Sequence, residues 1–178
     1  MTTNITEELR TKLLESGATL VGFANMRSAD TGNLPYAACV LIALPPAVVN
    51  DISEAPTVEY WNTYNSVNSL LDEIVKAGAN FLRGKGYSAL PVTRESAVWD
   101  AKAMRTDYPY KTVATRAEAI LGATWAPAME RELLVYTSKC MVTMRKRMKQ
   151  LNGFEASICG KCFAVCPYTK KYLRKYGY

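Results

Sequence analysis

Three of the chain's five cysteines fall within eight positions, in the segment EASICGKCFAVCPYTKKYL at 155–173. Their spacing, C-x2-C-x3-C-P, demands a tight loop, because several thiolates must converge on one small centre that the backbone wraps, and the proline then turns the chain away. Cys159, Cys162 and Cys166 are therefore candidate ligands, and Cys140, nineteen residues upstream, is a candidate fourth. Four thiolates complete a [4Fe–4S] site. A four-cysteine zinc site also fits the count, although zinc ribbons usually pair two C-x2-C knuckles and here there is one plus a lone cysteine. A third reading is thiols without metal. Cys140 has its own alternative: it shares a helical stripe with Tyr136, Met144 and Met148, where a free cysteine packs as a small hydrophobe. Cys39 lies inside an apolar run and reads as a buried bystander.

The rest of the composition narrows the chemistry. The chain has no histidine, which removes Ser-His and Cys-His catalysis, His-ligated zinc and haem, and imidazole acid–base work. Clustered cysteines in an odd total of five point to metal binding in a reducing compartment rather than a secreted disulfide framework, so the expected location is the cytoplasm. The N-terminal MTTNITEELRTKLLES is charged and amphipathic, unlike a signal or transit peptide. No apolar run reaches the roughly 18 residues of a membrane span; the longest, AACVLIALPPAVV, is broken by two prolines. With 178 residues and 49% hydrophobic composition, the chain can bury one good core.

Periodicity predicts the elements. Residues 4–16 read as a helix capped by Asn4, with Ile5, Leu9 and Leu13 on one face and Gly17 as its stop. TLVGFA (19–24) and ACVLIAL (38–44) read as buried strands, the second ended by Pro45 and Pro46. A long helix over 57–83 carries Val58, Trp61, Tyr64, Val67, Leu71, Ile74, Gly78 and Phe81 at spacings of three and four. YSALPV (87–92) reads as a third strand and 93–110 as loop with one helical turn. Further helices are expected over 111–121, from Pro127 to about 151 with Leu133, Tyr136, Cys140, Met144, Met148 and Leu151 on one stripe, and from Pro167 onward. The class is mixed α/β (α+β), a small sheet flanked by helices with a helical, ferredoxin-like cysteine element at the C-terminal end.

Charge is unevenly placed. Residues 139–178 carry ten Lys/Arg against the single acid Glu155, a net of +9, while the preceding residues carry twelve against fifteen, a net of −3. A basic quarter suits RNA or an acidic partner, or is a solvated helix face. Tyr168, Tyr172, Tyr176 and Tyr178, interleaved with lysines, can stack bases or pack against a core. The GKG at 84–86 is a helix stop rather than a phosphate loop, and Glu130 and Glu132 suit a helix start without any catalysis.

The segment SKCMVTMRKRMKQLNGFEASICGKCFAVCPYTKKYL resembles the C-terminal end of the epoxyqueuosine reductase family and related cobalamin- and iron–sulfur-dependent reductases. There, a lone cysteine on a helix is followed by roughly twenty residues and a C-x2-C-x3-C-P run. TLVGFANM, the stretch YWNTYNSVNSLLDEIVKAGANFLRGKGYSALPV and YPYKTVATRAEAILG are similar to upstream parts of that family. The resemblance implies a reductase-like α/β domain over 1–125 and a helical cluster-binding element over 126–178. It further implies one [4Fe–4S] cluster on Cys140, Cys159, Cys162 and Cys166, a redox or electron-transfer role, and a redox partner protein. The chain departs from the family in two places: RAEAILGATWAPAM replaces a Gly-rich turn, and a first four-cysteine run is missing. In the family, the cysteine before proline serves the second cluster; here Cys166 is free to complete the first. The resemblance also brings in cobalamin, which the family binds, and epoxyqueuosine reduction, and the two departures leave both without support. Asp100 and Asp107 are the nearest counterparts of the family's acidic proton donor. The alternative function is a non-catalytic module in which the cysteine site, zinc or cluster, is structural and the basic end binds RNA or an acidic partner.

Overall fold

In the computed structural model, which describes residues 4–28, 33–52, 56–100, 105–106, 113–114, 117, 137–156 and 158–178, the chain has an α+β fold. Its described residues comprise helices and two small, two-stranded antiparallel sheets. Contacts group it into two units that interleave along the sequence, one drawn from residues 1–43 and 67–120 and the other from 44–66 and 121–178. No helix among the described residues is long and apolar enough to cross a membrane.

The first unit is built on α1 (Ile5–Glu15), β1 (Leu20–Asn25) and β2 (Tyr36–Leu41). The Asn4 side chain accepts the Thr6 amide at 3.1 Å, satisfying one of the helix's free donors. Gly17 ends the helix at φ +111°, where a side chain would be strained. β1 and β2 pair from Leu20↔Leu41 to Asn25↔Tyr36, and both faces are covered. Val21, Phe23, Val40 and Ile42 pack on Leu9, Leu13 and Ile74. On the other face, Ala24, Ala37 and Cys39 pack with Met26, Val113 and Ala117. That burial is why both strands read as continuous apolar runs. The second face is made of small residues because the chain at Ala117 lies close: a Cβ on Gly22 would stand 2.7 Å from the Ala117 carbonyl oxygen.

α3 (Val58–Gly84) follows α2 (Pro46–Asn50). Pro46 opens a short helix, as its fixed φ allows at a first helical position, while β2 stops at Leu41, short of the two prolines expected to end it. Within the first unit, α3 crosses α1 closely: a Cβ on Gly78 would meet Leu13 Cδ2 at 2.7 Å.

The expected third strand is absent, since 87–92 adopt no regular structure. Pro91 removes a ladder donor, and the Ala89 carbonyl instead accepts from Arg83 Nε and Nη2 at 3.0 and 2.7 Å. Beyond a turn at 94–96, β3 (Trp99–Asp100) pairs antiparallel with β4 (Arg105–Thr106), where loop with one helical turn was expected. Two residues per strand are too few to leave a period. Of the expected helix 111–121, residues 113–114 are helical and the Ala117 amide donates to the Val113 carbonyl at 2.9 Å; the remainder lies outside the described residues.

The second unit contains α2 and three further helices, α4 (Thr137–Asn152), α5 (Lys161–Ala164) and α6 (Pro167–Lys175). Its core joins Val48, Ile52 and Tyr60 to Leu44, Ile158 and Ala164. The α4 stripe is only partly a core stripe. Met148 is fully buried and Met144 half-buried, but Cys140 and Leu151 are exposed; Leu133 and Tyr136 lie outside the described residues.

Candidate metal centre

The cysteine loop leaves α4 through Gly153, whose φ of +78° turns the chain, and is seated on the second unit's core. Ile158 and Ala164, on either side of the first two cysteines, pack on Val48, Ile52 and Tyr60. Between those cysteines, Gly160 caps α5 in the left-handed conformation, φ +69°. Any Cβ there would lie 2.8 Å from Ile52 Cδ1 and 3.0 Å from the Tyr60 ring. Two independent constraints, backbone and packing, thus require glycine at this position. Cys166 occupies the cap position of α6 and Pro167 its first turn.

Each thiol has a distinct setting. Cys159 is half-buried, and its sulfur accepts the Lys161 amide at 3.4 Å. Cys162 is exposed on α5, and Cys140 is exposed on α4, so Cys140 is not a core residue. Its thiol is nevertheless held above the ordinary range, first by partial desolvation of the sulfur and then by the charges of Cys159 and Cys162. These charges act between groups nineteen and twenty-two positions apart in the chain. Tyr60 is raised as well, by burial, then by Tyr64 and Cys159. Cys166 behaves oppositely. The Thr169 amide, aided by Tyr168 and the Thr169 hydroxyl, lowers its pKa, although the sulfur makes no full capping hydrogen bond. Cys39 belongs to the first unit, where burial against the small-residue face raises its thiol.

Cys140, Cys159 and Cys162 therefore share one electrostatic neighbourhood, while Cys166 stands at the start of the next helix. No group of three or more His, Cys, Asp or Glu side chains among the described residues, these four cysteines included, is placed so that it could hold a metal ion. The donor chemistry, thiolates with a backbone amide directed at one sulfur, suits an iron–sulfur cluster or zinc. Asp107 lies outside the described residues, and Asp100 is in β3.

Tyr60, Ile52 and Gly160 were not among the candidate site residues. The glycine was legible in principle, since glycine is the default residue where a tight loop needs a positive φ or a close approach of the backbone. Nothing in the local sequence marks Tyr60 or Ile52 as the wall behind a loop about a hundred residues later.

In metal-free protein, the opposite shifts predict an order of alkylation. A thiol held below its ordinary range is thiolate at lower pH, so Cys166 should label with iodoacetamide first as pH rises, and Cys140 later. Peptide mass spectrometry across a pH series reads this order, and labelling of Cys140 at lower pH than Cys166 would contradict it.

The described residues comprise one unit with a small α+β fold and a second, helical unit that carries the cysteine loop. The chain matches no family model, no curated protein and no solved structure.

Proposed function

We propose that the chain is an iron–sulfur protein of one-electron redox function, with Cys140, Cys159, Cys162 and Cys166 as the ligands of a single [4Fe–4S] cluster. The observation that carries this reading is the placing of Cys159, Cys162 and Cys166 on one short loop seated on the Val48, Ile52 and Tyr60 core, with Cys140 exposed on α4 and its thiol raised first by desolvation and then by the charges of Cys159 and Cys162. A cysteine that merely packed would be buried and would not feel the loop thiols. Such a group, when bound, takes up and releases single electrons. The chain's own part is to hold and tune it: the Lys161 amide is directed at the Cys159 sulfur, and hydrogen bonds to cluster sulfurs raise reduction potentials. Tyr60 and Ile52 wall the Gly160 side of the loop from water. The similarity of the cysteine end to the cobalamin- and iron–sulfur-dependent reductases supports the same assignment.

A structural zinc site is the second reading, favoured by the donor set of thiolates alone. Iron, zinc and acid-labile sulfide per chain in anaerobically prepared protein distinguish the two. The expected result is iron and sulfide in equal amounts with a broad visible absorption that dithionite bleaches; a colourless, zinc-containing, sulfide-free protein would overturn it. Serine variants test the ligands individually. Iron should be lost with Cys159, Cys162 or Cys166 replaced and retained with Cys39 replaced, and the Cys140 variant should give a labile or three-iron cluster visible by electron paramagnetic resonance. Retained iron in Cys162→Ser would count against the assignment.

A further inference from the structure

The β1–β2 sheet of the first unit has one edge that nothing guards. The Met26 amide donates to the Pro35 carbonyl at 2.8 Å. In steps of two along the register from that bond, the backbone groups of Ala37, Cys39 and Leu41 face β1, and those of Tyr36, Ala38 and Val40 face outward. The sheet has two strands. Among the described residues, the outward amides and carbonyls of Ala38 and Val40 make no hydrogen bond. YSALPV, the run with the composition of a third strand, is held at Ala89 by Arg83 and broken by Pro91.

The two edges differ in chemistry. On β1, Arg10 donates to the outward Val21 carbonyl and lies 4.9 Å over the Phe23 ring, so a cation stands where another strand would approach. On β2 no charge interrupts the edge. From Tyr36 to Leu44 the chain has no charged residue and no proline, and Tyr36 and Ala38 are exposed. Arg27 binds the Tyr36 hydroxyl at 2.6 Å, at the first residue of the strand. A regular, uncharged edge with free donors and acceptors is a template for one more strand.

We propose that this edge pairs with the same edge of a second copy, antiparallel about a two-fold axis at Cys39, so that two sheets join into one. The pleat sets the register. Only an even offset puts outward groups against outward groups and keeps the face that meets α1 and α3 on one side of the joined sheet. All of 36–42 is used when Tyr36 faces the partner's Ile42, Ala38 the partner's Val40 and Cys39 the partner's Cys39. About eight backbone hydrogen bonds then form, and no charge is set against another. The two Arg27 side chains fall at opposite ends of the pair, about 20 Å apart. A second copy is the occupant because every copy carries an uncharged edge in the matching pleat. The pairing needs no metal and is independent of the redox reading above.

Sedimentation equilibrium of the full chain in reducing buffer measures the assembly, and residue-resolved amide exchange by NMR locates it. The expected result is a dimer that dissociates on dilution. The amides of Ala38 and Val40 should be protected in the dimer and exchange fast in the monomer. Those of Ala37, Cys39 and Leu41, which are bonded to β1, should stay protected in both. Ala38→Lys places a charge on the edge at an exposed position and should give a monomer with the far-ultraviolet dichroism of the parent. A dimer that persists in this variant would overturn the proposal. So would a dimer whose Ala38 and Val40 amides exchange freely, since its interface would lie elsewhere. A parent chain that stays monomeric up to about 1 mM would overturn it too, whatever peptide it captures. The exchange pattern is read on the parent chain and decides the matter without the variant.

Discussion

On the proposed metal-centre reading, replacing Gly160 by valine is expected to strip the cysteine loop of most of its metal affinity while leaving all five thiols in place. The new Cβ would sit 2.8 Å from Ile52 Cδ1 and 3.0 and 3.2 Å from two Tyr60 ring carbons, and valine adds two methyls beyond it. Neither neighbour can yield easily, because Ile52 and Tyr60 are themselves buried at 6% and 8% exposure. The loop must instead lift, carrying Cys159 and Cys162 away from Cys140. Misplacing ligands through a supporting residue costs about 10–100-fold in metal affinity, so alanine should show about tenfold and valine the upper part of that range. Gly153 provides the control. Its φ of +78° matches the backbone strain at Gly160, yet nothing lies within 4 Å of its Cβ position. Gly153→Ala should therefore cost about 1–2 kcal/mol of stability through left-handed strain alone and leave metal affinity near the parent's. Competition with a chelator, read by iron per chain, compares the variants. Equal affinity in Gly160→Val and Gly153→Ala would remove the packing argument.

Ile74→Ala is expected to lower stability by about 3 kcal/mol, the usual cost of a large-to-small change at a site that cannot collapse. For a chain of this length that corresponds to a fall of about 10 °C in melting temperature. Ile74 is 1% exposed and joins Leu9, Leu13 and Val21 in the first unit's core, so it links helix α1, strand β1 and helix α3. Neighbouring leucines on α3 make the comparison. Leu70 is 36% exposed and should lose under about 1 kcal/mol on truncation, because little apolar area leaves contact. Leu71, which periodicity places on the same stripe as Ile74, is only half-buried, and its truncation should fall between the two. Thermal unfolding by circular dichroism ranks the three variants. A Leu70→Ala effect as large as that of Ile74→Ala would show that the buried face of α3 is assigned wrongly.

Much of this architecture could be read from the chain. The Asn4 cap, the Gly17 stop, the two apolar strand runs, the long period of α3 and the proline that opens α6 are local signals, and the elements appear where those signals stand. Where reading failed, the missing information was not local. YSALPV has strand composition, but the Ala89 carbonyl is taken by Arg83 and Pro91 interrupts the ladder, so no partner strand forms. β3 and β4 are too short to leave a period. On α4, a stripe from Cys140 to Leu151 is regular in sequence, yet only Met148 is fully buried and Leu151 is 63% exposed. Spacing reports which residues share a face, and says nothing about what that face meets.

The candidate centre divides in the same way. C-x2-C-x3-C-P and the absence of histidine already limit its chemistry to thiolates, because ligand type is a property of the residues themselves. That the Cys140 thiol feels Cys159 and Cys162, and that Ile52 and Tyr60 form the wall on which Gly160 rests, depends on how distant segments pack. Coulomb interaction and steric exclusion act over a few ångströms of space, whatever number of residues separates the groups along the chain, so these features exist only once the chain has folded.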